Sequence, residues 1–169
     1  RCQNSRQKHT QDERSMYHHA LWNLLHDKDW PAAERLLEQC SDEDRLRITT
    51  YRNDVGCTVL HLCAEEGAPA STVRAILRAS PQGIINAQAD SGHTPVMMAA
   101  CWGRARMLVQ LMKAGANMGI RHAKGYTAHD WAVLNNKPTA IAVIDALRHG
   151  LHPCPVPQSL RQDPRAAVP

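Results

Sequence analysis

Phenylalanine is missing from this chain, and the aromatics that remain, Trp22, Trp30, Trp102 and Trp131 with Tyr17, Tyr51 and Tyr126, supply only 4% of its 169 residues. Any core must therefore be packed from Leu, Ile, Val, Ala and Met. No run approaches the roughly 18 apolar residues that a membrane span needs, and the opening stretch from Arg1 to Arg14 is too polar for the apolar centre of a signal peptide. The six cysteines, Cys2, Cys40, Cys57, Cys63, Cys101 and Cys154, contain no CxxC pair. Reduced thiols and an intracellular, cytoplasmic setting are expected, with the nucleus left open. No initiator methionine opens the sequence, which leaves room for a longer polypeptide. A net charge of +4 is spread along the chain without a basic block, and this argues against nucleic acid as the partner.

Also missing are HExxH, GxSxG and a Gly-rich phosphate loop. Without a nucleophile, base and oxyanion donor that can be paired, the sequence points to no catalytic residue and no enzyme. Ten histidines are many for this length, but the group formed by His18, His19 and His26 lacks the cysteine or carboxylate that would complete a familiar ligand set. No metal, no cofactor and no small-molecule ligand is expected. Cys57 and Cys101, with His93 between them in sequence, read as ordinary small residues rather than reactive thiols. Met97, Met98, Met107 and Met112 read as deformable core, and Asp42, Glu43 and Asp44 as a solvated loop.

What is present is internal repetition. Three stretches align: DVGCTVLHLCAEEG from Asp54, DSGHTPVMMAACWG from Asp90 and AKGYTAHDWAVLNN from Ala123. Gly56, Gly92 and Gly125 fall in register at spacings of 36 and 33 residues, each followed two residues later by Thr58, Thr94 or Thr127. The glycine permits a positive φ in a tight turn, and the threonine is placed to cap a helix. Pro95 occupies a first helical position, where its missing donor costs nothing. Small residues (Cys63 and Ala64, Ala99 and Ala100, Ala132) allow close helix approach, and Gly67, Gly103 and Asn136 mark the stops. A second run follows each stop: Val73, Ile76 and Leu77; Met107, Leu108, Leu111 and Met112; Ile141, Val143, Ile144 and Leu147. Their 3.6-residue spacing predicts a second helix in each unit. Such a hairpin is too small to bury its own apolar face, so the units must stack.

These units resemble ankyrin repeats, whose pattern is Gly-x-Thr-Pro-Leu-His-x-Ala-Ala-x-x-Gly followed by a second helix. Gly56, Thr58, Leu60, His61, Ala64 and Gly67 carry the resemblance in the first unit, and Gly92, Thr94, Pro95, Ala99, Ala100 and Gly103 in the second, which continues into Lys113, Ala114, Gly115, Ala116 and Asn117. Gly125, Thr127 and Ala132 carry it in the third. The resemblance implies an all-α solenoid with hairpin-like finger loops, in units spanning 54–89, 90–121 and 122–151. Residues 15–53 would hold a degenerate capping hairpin, to Cys40, and an enlarged connection from Ser41 to Asn53. Residues 1–14 would be a loose leader, and 152–169 a Pro-rich tail. The last helix, with Ala140, Ile141, Ala142, Val143, Ile144, Ala146 and Leu147, is apolar almost all round, so a cover is expected: Leu151 to Val156 folded back on it, or alternatively a partner, a second copy or further chain beyond Pro169. Met97 and Asp130 stand where the family has histidine, so its bonding to the backbone is expected at His61 alone. Insertions around Pro69 and Pro81 are expected to lengthen the first unit.

The resemblance also implies where function sits: a groove lined by finger tips and first helices, which binds another protein or a peptide. Position by position the tips are Asp54, Val55 and Cys57, then Asp90, Ser91 and His93, then Ala123, Lys124 and Tyr126; the helix ends supply Glu65, Glu66, Cys101, Trp102, Leu134 and Asn135. Trp102, Tyr126, Leu134 and His93 would form an apolar centre with Glu65, Glu66, Asp54 and Asp90 as an acidic flank. That suits a partner with an apolar anchor flanked by Lys or Arg. The alternative is a regulatory or targeting fragment of a larger enzyme or signalling protein.

Overall fold

The computed structural model of the chain describes residues 19–148. A first pair of helices, α1 over residues 19–26 and α2 (Trp30–Gln39), is joined through Lys28, which takes φ 62°. Leu21, Leu25, Ala33 and Leu37 bury the shared face, and Pro31 sits in the first turn of α2 behind the capping carboxylate of Asp29, which accepts from the Ala32 N–H at 3.1 Å.

Three further units follow. α4 (Val59–Glu66) pairs with α5 (Ala70–Ala79), α6 (Pro95–Cys101) with α7 (Ala105–Lys113), and α8 (Ala128–Leu134) with α9 (Pro138–Arg148). The first helices pack α4 on α6 on α8, and the second helices pack α2 on α5 on α7 on α9, so the chain is two parallel rows of helices. Among the described residues there are helices and turns and no strand. The small residues Cys63, Ala64, Ala99, Ala100 and Ala132 are fully buried between neighbours of the first row. Ile76, Leu111 and Ile144, one from each second helix, belong to the same continuous core. Met97 and Met107 are fully buried in that core and Met98 and Met112 pack against it.

The stops fall where the backbone needs them. Gly67, Gly103 and Asn136 take φ values of 78°, 69° and 51°, the left-handed region in which a chain leaves a helix and turns back. Thr94 and Thr127 cap α6 and α8, accepting from the Met97 and Asp130 N–H groups at 3.4 Å each.

One expectation needs correction. Asp42, Glu43 and Asp44 are not loop: they form the first turn of α3 (Asp42–Thr50), so the stretch from Ser41 to Asn53 holds a helix packed on α5. The Ser41 side chain accepts from the Asp44 N–H (3.2 Å), three acidic side chains complement the positive helix start, and Arg45 and Arg47 pair with Asp42 and Glu43. In the first unit Pro69 caps the start of α5, and the residues after Pro81 coil into a 3₁₀-helix, Gln82–Asn86, that buries Ile84 and Ile85. The proposed leader, Ser15 to His18 and the Pro-rich tail lie outside the described residues.

Candidate functional site

Each unit projects a tight finger from the start of its first helix. In all three, the residue four before the end bonds across the turn: Asn53 N–H to Cys57 carbonyl (3.0 Å), Ala89 to His93 (2.8 Å) and His122 to Tyr126 (3.0 Å). Gly56, Gly92 and Gly125 take φ values of 72°, 86° and 86° at the bend. Adjacent fingers are tied by backbone: the Asp90 N–H donates to the Val55 carbonyl (3.1 Å), and the Ala123 N–H to Ser91 (3.3 Å). A side-chain brace not foreseen from the sequence repeats beneath them. Arg52 donates to its own finger's Gly56 carbonyl (3.0 Å) and to the Gln88 carbonyl (2.6 Å); Gln88 donates to Gly92 (3.0 Å) and to Arg121 (3.3 Å).

His61 locks the first finger row from inside. Its Nδ1 accepts from the Thr58 N–H (3.1 Å) and faces the Thr58 hydroxyl (2.9 Å), while Nε2 meets the His93 carbonyl of the next unit at 3.0 Å. An acceptor role for Nδ1 leaves the proton on Nε2, which is then the donor to His93. Burial drives the ring's pKa down to about 4, and the charge of Arg52 pushes the same way. The expectation that such bonding survives at His61 alone is corrected in part. Asp130 accepts from the Thr127 N–H (2.8 Å) and hydroxyl (2.7 Å), which holds its carboxyl below the usual range. A carboxylate has no donor to offer a following unit, so only the local half of the bonding is kept. Met97 makes neither half.

Eleven of the sequence-assigned residues divide into three groups. Asp54, Val55, Asp90, Ser91 and Lys124 are exposed on the finger tips. Glu65 and Glu66 are half-buried at the end of α4, where Glu66 pairs with Lys28 at 3.0 Å and burial, followed by the Glu66 charge, raises the Glu65 carboxyl. Cys101 is half-buried and Trp102, at the cap of α6, is 38% exposed; Leu134, 59% exposed, and Asn135 end α8.

His93 and Tyr126 do come together, but through residues that the sequence reading left out. Trp131, on α8, inserts between fingers two and three: its ring lies 4.8 Å from His93, 5.2 Å from His122 and 5.9 Å from Tyr126, centre to centre. His122 stacks on Tyr126 at 5.8 Å and packs on His93 at 4.8 Å. The result is a four-ring wall with Tyr126, 40% exposed, as its outer edge. Trp102 joins no ring contact among the described residues. One sequence signal for Trp131 was available: it occupies the position of Leu62 and Met98 in the aligned units, one after the histidine position, with a side chain larger than either.

Among the described residues burial holds the thiols in their protonated form, Cys40 included. Burial raises Cys57 and Cys101, and it raises fully buried Cys63 furthest. Among the described residues no three His, Cys, Asp or Glu side chains gather as metal ligands.

A model of the family described as ankyrin repeats, in three copies, matches residues 60–152, more than half of the chain. The chain belongs to the ankyrin-repeat family. Ankyrin repeats are generally protein–protein interaction modules, and the stacked hairpins and fingers are those of an ankyrin solenoid. No curated protein matches the chain. Among the described residues no helix is long and apolar enough to cross a membrane.

Proposed function

We propose that this ankyrin array binds a protein or peptide along the face made by its fingers and first helices, and that it does no catalysis of its own. The observation that carries this reading is the exposure of three large side chains on two neighbouring units: Trp102 at the end of α6, Tyr126 on the third finger and Leu134 at the end of α8. Burying an indole in a partner's pocket is the kind of contact in which interface energy concentrates, often at 2 kcal/mol or more per residue. Asp54 and Asp90 are exposed on the fingers and Glu65 is half-buried at the end of α4 beside Glu66, which is paired with Lys28, so the proposed surface also carries acidic groups. The partner is therefore a segment with an apolar anchor flanked by Lys or Arg.

The test is capture from native extract followed by an affinity measurement on the protein recovered. Trp102→Ala is expected to weaken that affinity by at least about tenfold, corresponding to 1.4 kcal/mol or more. Glu65→Lys with Glu66→Lys is expected to weaken it most at low salt, since exposed charges are screened. Unchanged affinity in both variants refutes this placement of the site.

A further inference from the structure

Charge is not spread evenly over the two rows of helices. The described residues hold 14 Lys and Arg against 13 Asp and Glu, yet from Gly67 to His129 seven cations meet a single acid, Asp90 on the second finger. Three of the seven serve the first row and its fingers: Arg104 donates to the Glu65 carbonyl, Arg121 to the Gly125 carbonyl, and Lys124 stands on a tip. The other four, Arg74 and Arg78 on α5 with Arg106 and Lys113 on α7, are exposed on the second row and join none of the ion pairs among the described residues. α5 packs on α7, and Val73 with Ile76 on one bury the same spacing as Leu108 with Leu111 on the other. In that register Arg78 and Lys113 hold equivalent places in the last turns. With packed helices about 8–10 Å apart and a rise of about 1.5 Å per residue, the four Cα atoms fall within roughly 15 Å. The arrangement works against the fold. Arg74 and Arg78 are like charges one turn apart, and Arg106 stands in the first turn of α7, where the helix start is already positive and no acid accompanies it. On α3, by contrast, Asp42 and Glu43 offset Arg45 and Arg47.

We propose that the outer faces of α5 and α7 dock an Asp- and Glu-rich segment of another protein, on the row of helices that does not line the groove. This assignment is independent of what the groove binds. Three of the four cations are guanidinium groups, whose paired donors match a carboxylate. About five residues of extended chain span the patch. A lipid surface fits it poorly, because none of the exposed large apolar side chains lies on α5 or α7 and nothing there can insert. A duplex fits it poorly too: Glu38 on α2 and Asp42 and Glu43 on α3 are exposed on the neighbouring helices and would repel a phosphate track running past the patch. The remaining residues of the chain, 1–18 and 149–169, hold six cations and only three acids, Asp12, Glu13 and Asp163, so they bring no net counter-charge.

The test uses the full chain and a fluorescein-labelled peptide of ten glutamates, followed by anisotropy at low salt. Arg74→Gln with Arg106→Gln is expected to weaken binding at least about tenfold, and Arg78→Gln with Lys113→Gln to do the same. Arg35→Gln with Arg148→Gln removes as much charge from exposed positions on the flanking helices α2 and α9 and should change binding less than about twofold, as should Trp102→Ala. The thermal midpoint of the Arg74 and Arg106 variant should stay level or rise, since two opposed charges are gone. No binding of the peptide, or equal losses in the patch and flanking variants, overturns the proposal. A loss in Trp102→Ala moves the acidic peptide to the groove and also overturns it. So does tighter binding of a ten-base-pair duplex that the same patch variants abolish, or a dimer in sedimentation that they dissociate, which would assign the patch to nucleic acid or to a second copy.

Discussion

Lowering the pH from 7 to 5 should weaken the joint between the first two fingers, and His61 sets the size of the effect. The folded ring titrates at about 4 against an ordinary value of 6.5, because it is buried and its Nδ1 lone pair is committed to the Thr58 N–H. Between those two values the unfolded chain binds a proton that the folded chain refuses, so stability falls as pH falls through this window and is fully recovered above it. Integrated from pH 7 to pH 5, the loss is on the order of 2 kcal/mol, a large fraction of the roughly 5–15 kcal/mol that stabilises a domain. His93, also lowered by burial and then by the neighbouring His122, adds in the same direction. The assay is urea denaturation followed by tryptophan fluorescence, at both pH values, for the native chain and His61→Gln. At pH 7 the native chain should be the more stable; by pH 5 its advantage should shrink by roughly 2 kcal/mol, since glutamine does not titrate and every other group is common to both proteins. Equal pH-dependent losses in the two proteins, or a His61 ring found titrating near its ordinary value, would refute the reasoning.

The same denaturation assay can weigh the contacts between fingers. Gly92→Ala and Gly125→Ala carry a similar left-handed penalty, about 1–2 kcal/mol at φ 86°, but only the former drives a methyl into the next finger's backbone. Gly92→Ala should therefore cost about 1 kcal/mol more than Gly125→Ala, and equal costs would mean the fingers are not tightly apposed. Arg52→Met removes two charged donors from the Gly56 and Gln88 carbonyls and should cost about 1 kcal/mol. It should also speed hydrogen exchange at the Asp90 amide, and unchanged protection there would show that the brace does not hold the first two fingers together.

What could be read from the sequence follows from which residues the backbone constrains. Gly56, Gly92 and Gly125 announce the fingers because few other residues accept a φ near 80°, and the stops at Gly67 and Gly103 are visible for the same reason. The stop at Lys28 is hidden because lysine carries no such preference, although its φ of 62° performs the same turn. α3 was misread because acidic residues suggest solvent. The same three side chains behind Ser41, followed by Arg45 and Arg47 at helical spacing, also describe a capped first turn. Trp131 was missed for a different reason. Its contacts come from finger two, finger three and α8 together, and a linear alignment of units compares these segments without showing that one ring fills the space among the others.

The division between backbone and side chain at the fingers bears on how this surface can be specific. Successive fingers are joined by the Val55, Asp90, Ser91 and Ala123 main-chain groups, and the braces from Arg52 and Gln88 end on carbonyl oxygens. None of these bonds requires a particular side chain at the tips. Val55, Ser91 and Lys124, one apolar, one hydroxylic and one charged, thus occupy equivalent places without altering the stack that presents them. His93 and Tyr126 are less free, since each is wedged against Trp131. Substitution at the outer tip positions should change what is bound at little cost in stability, whereas substitution at His93 or Tyr126 should disturb the joint between units as well as the surface.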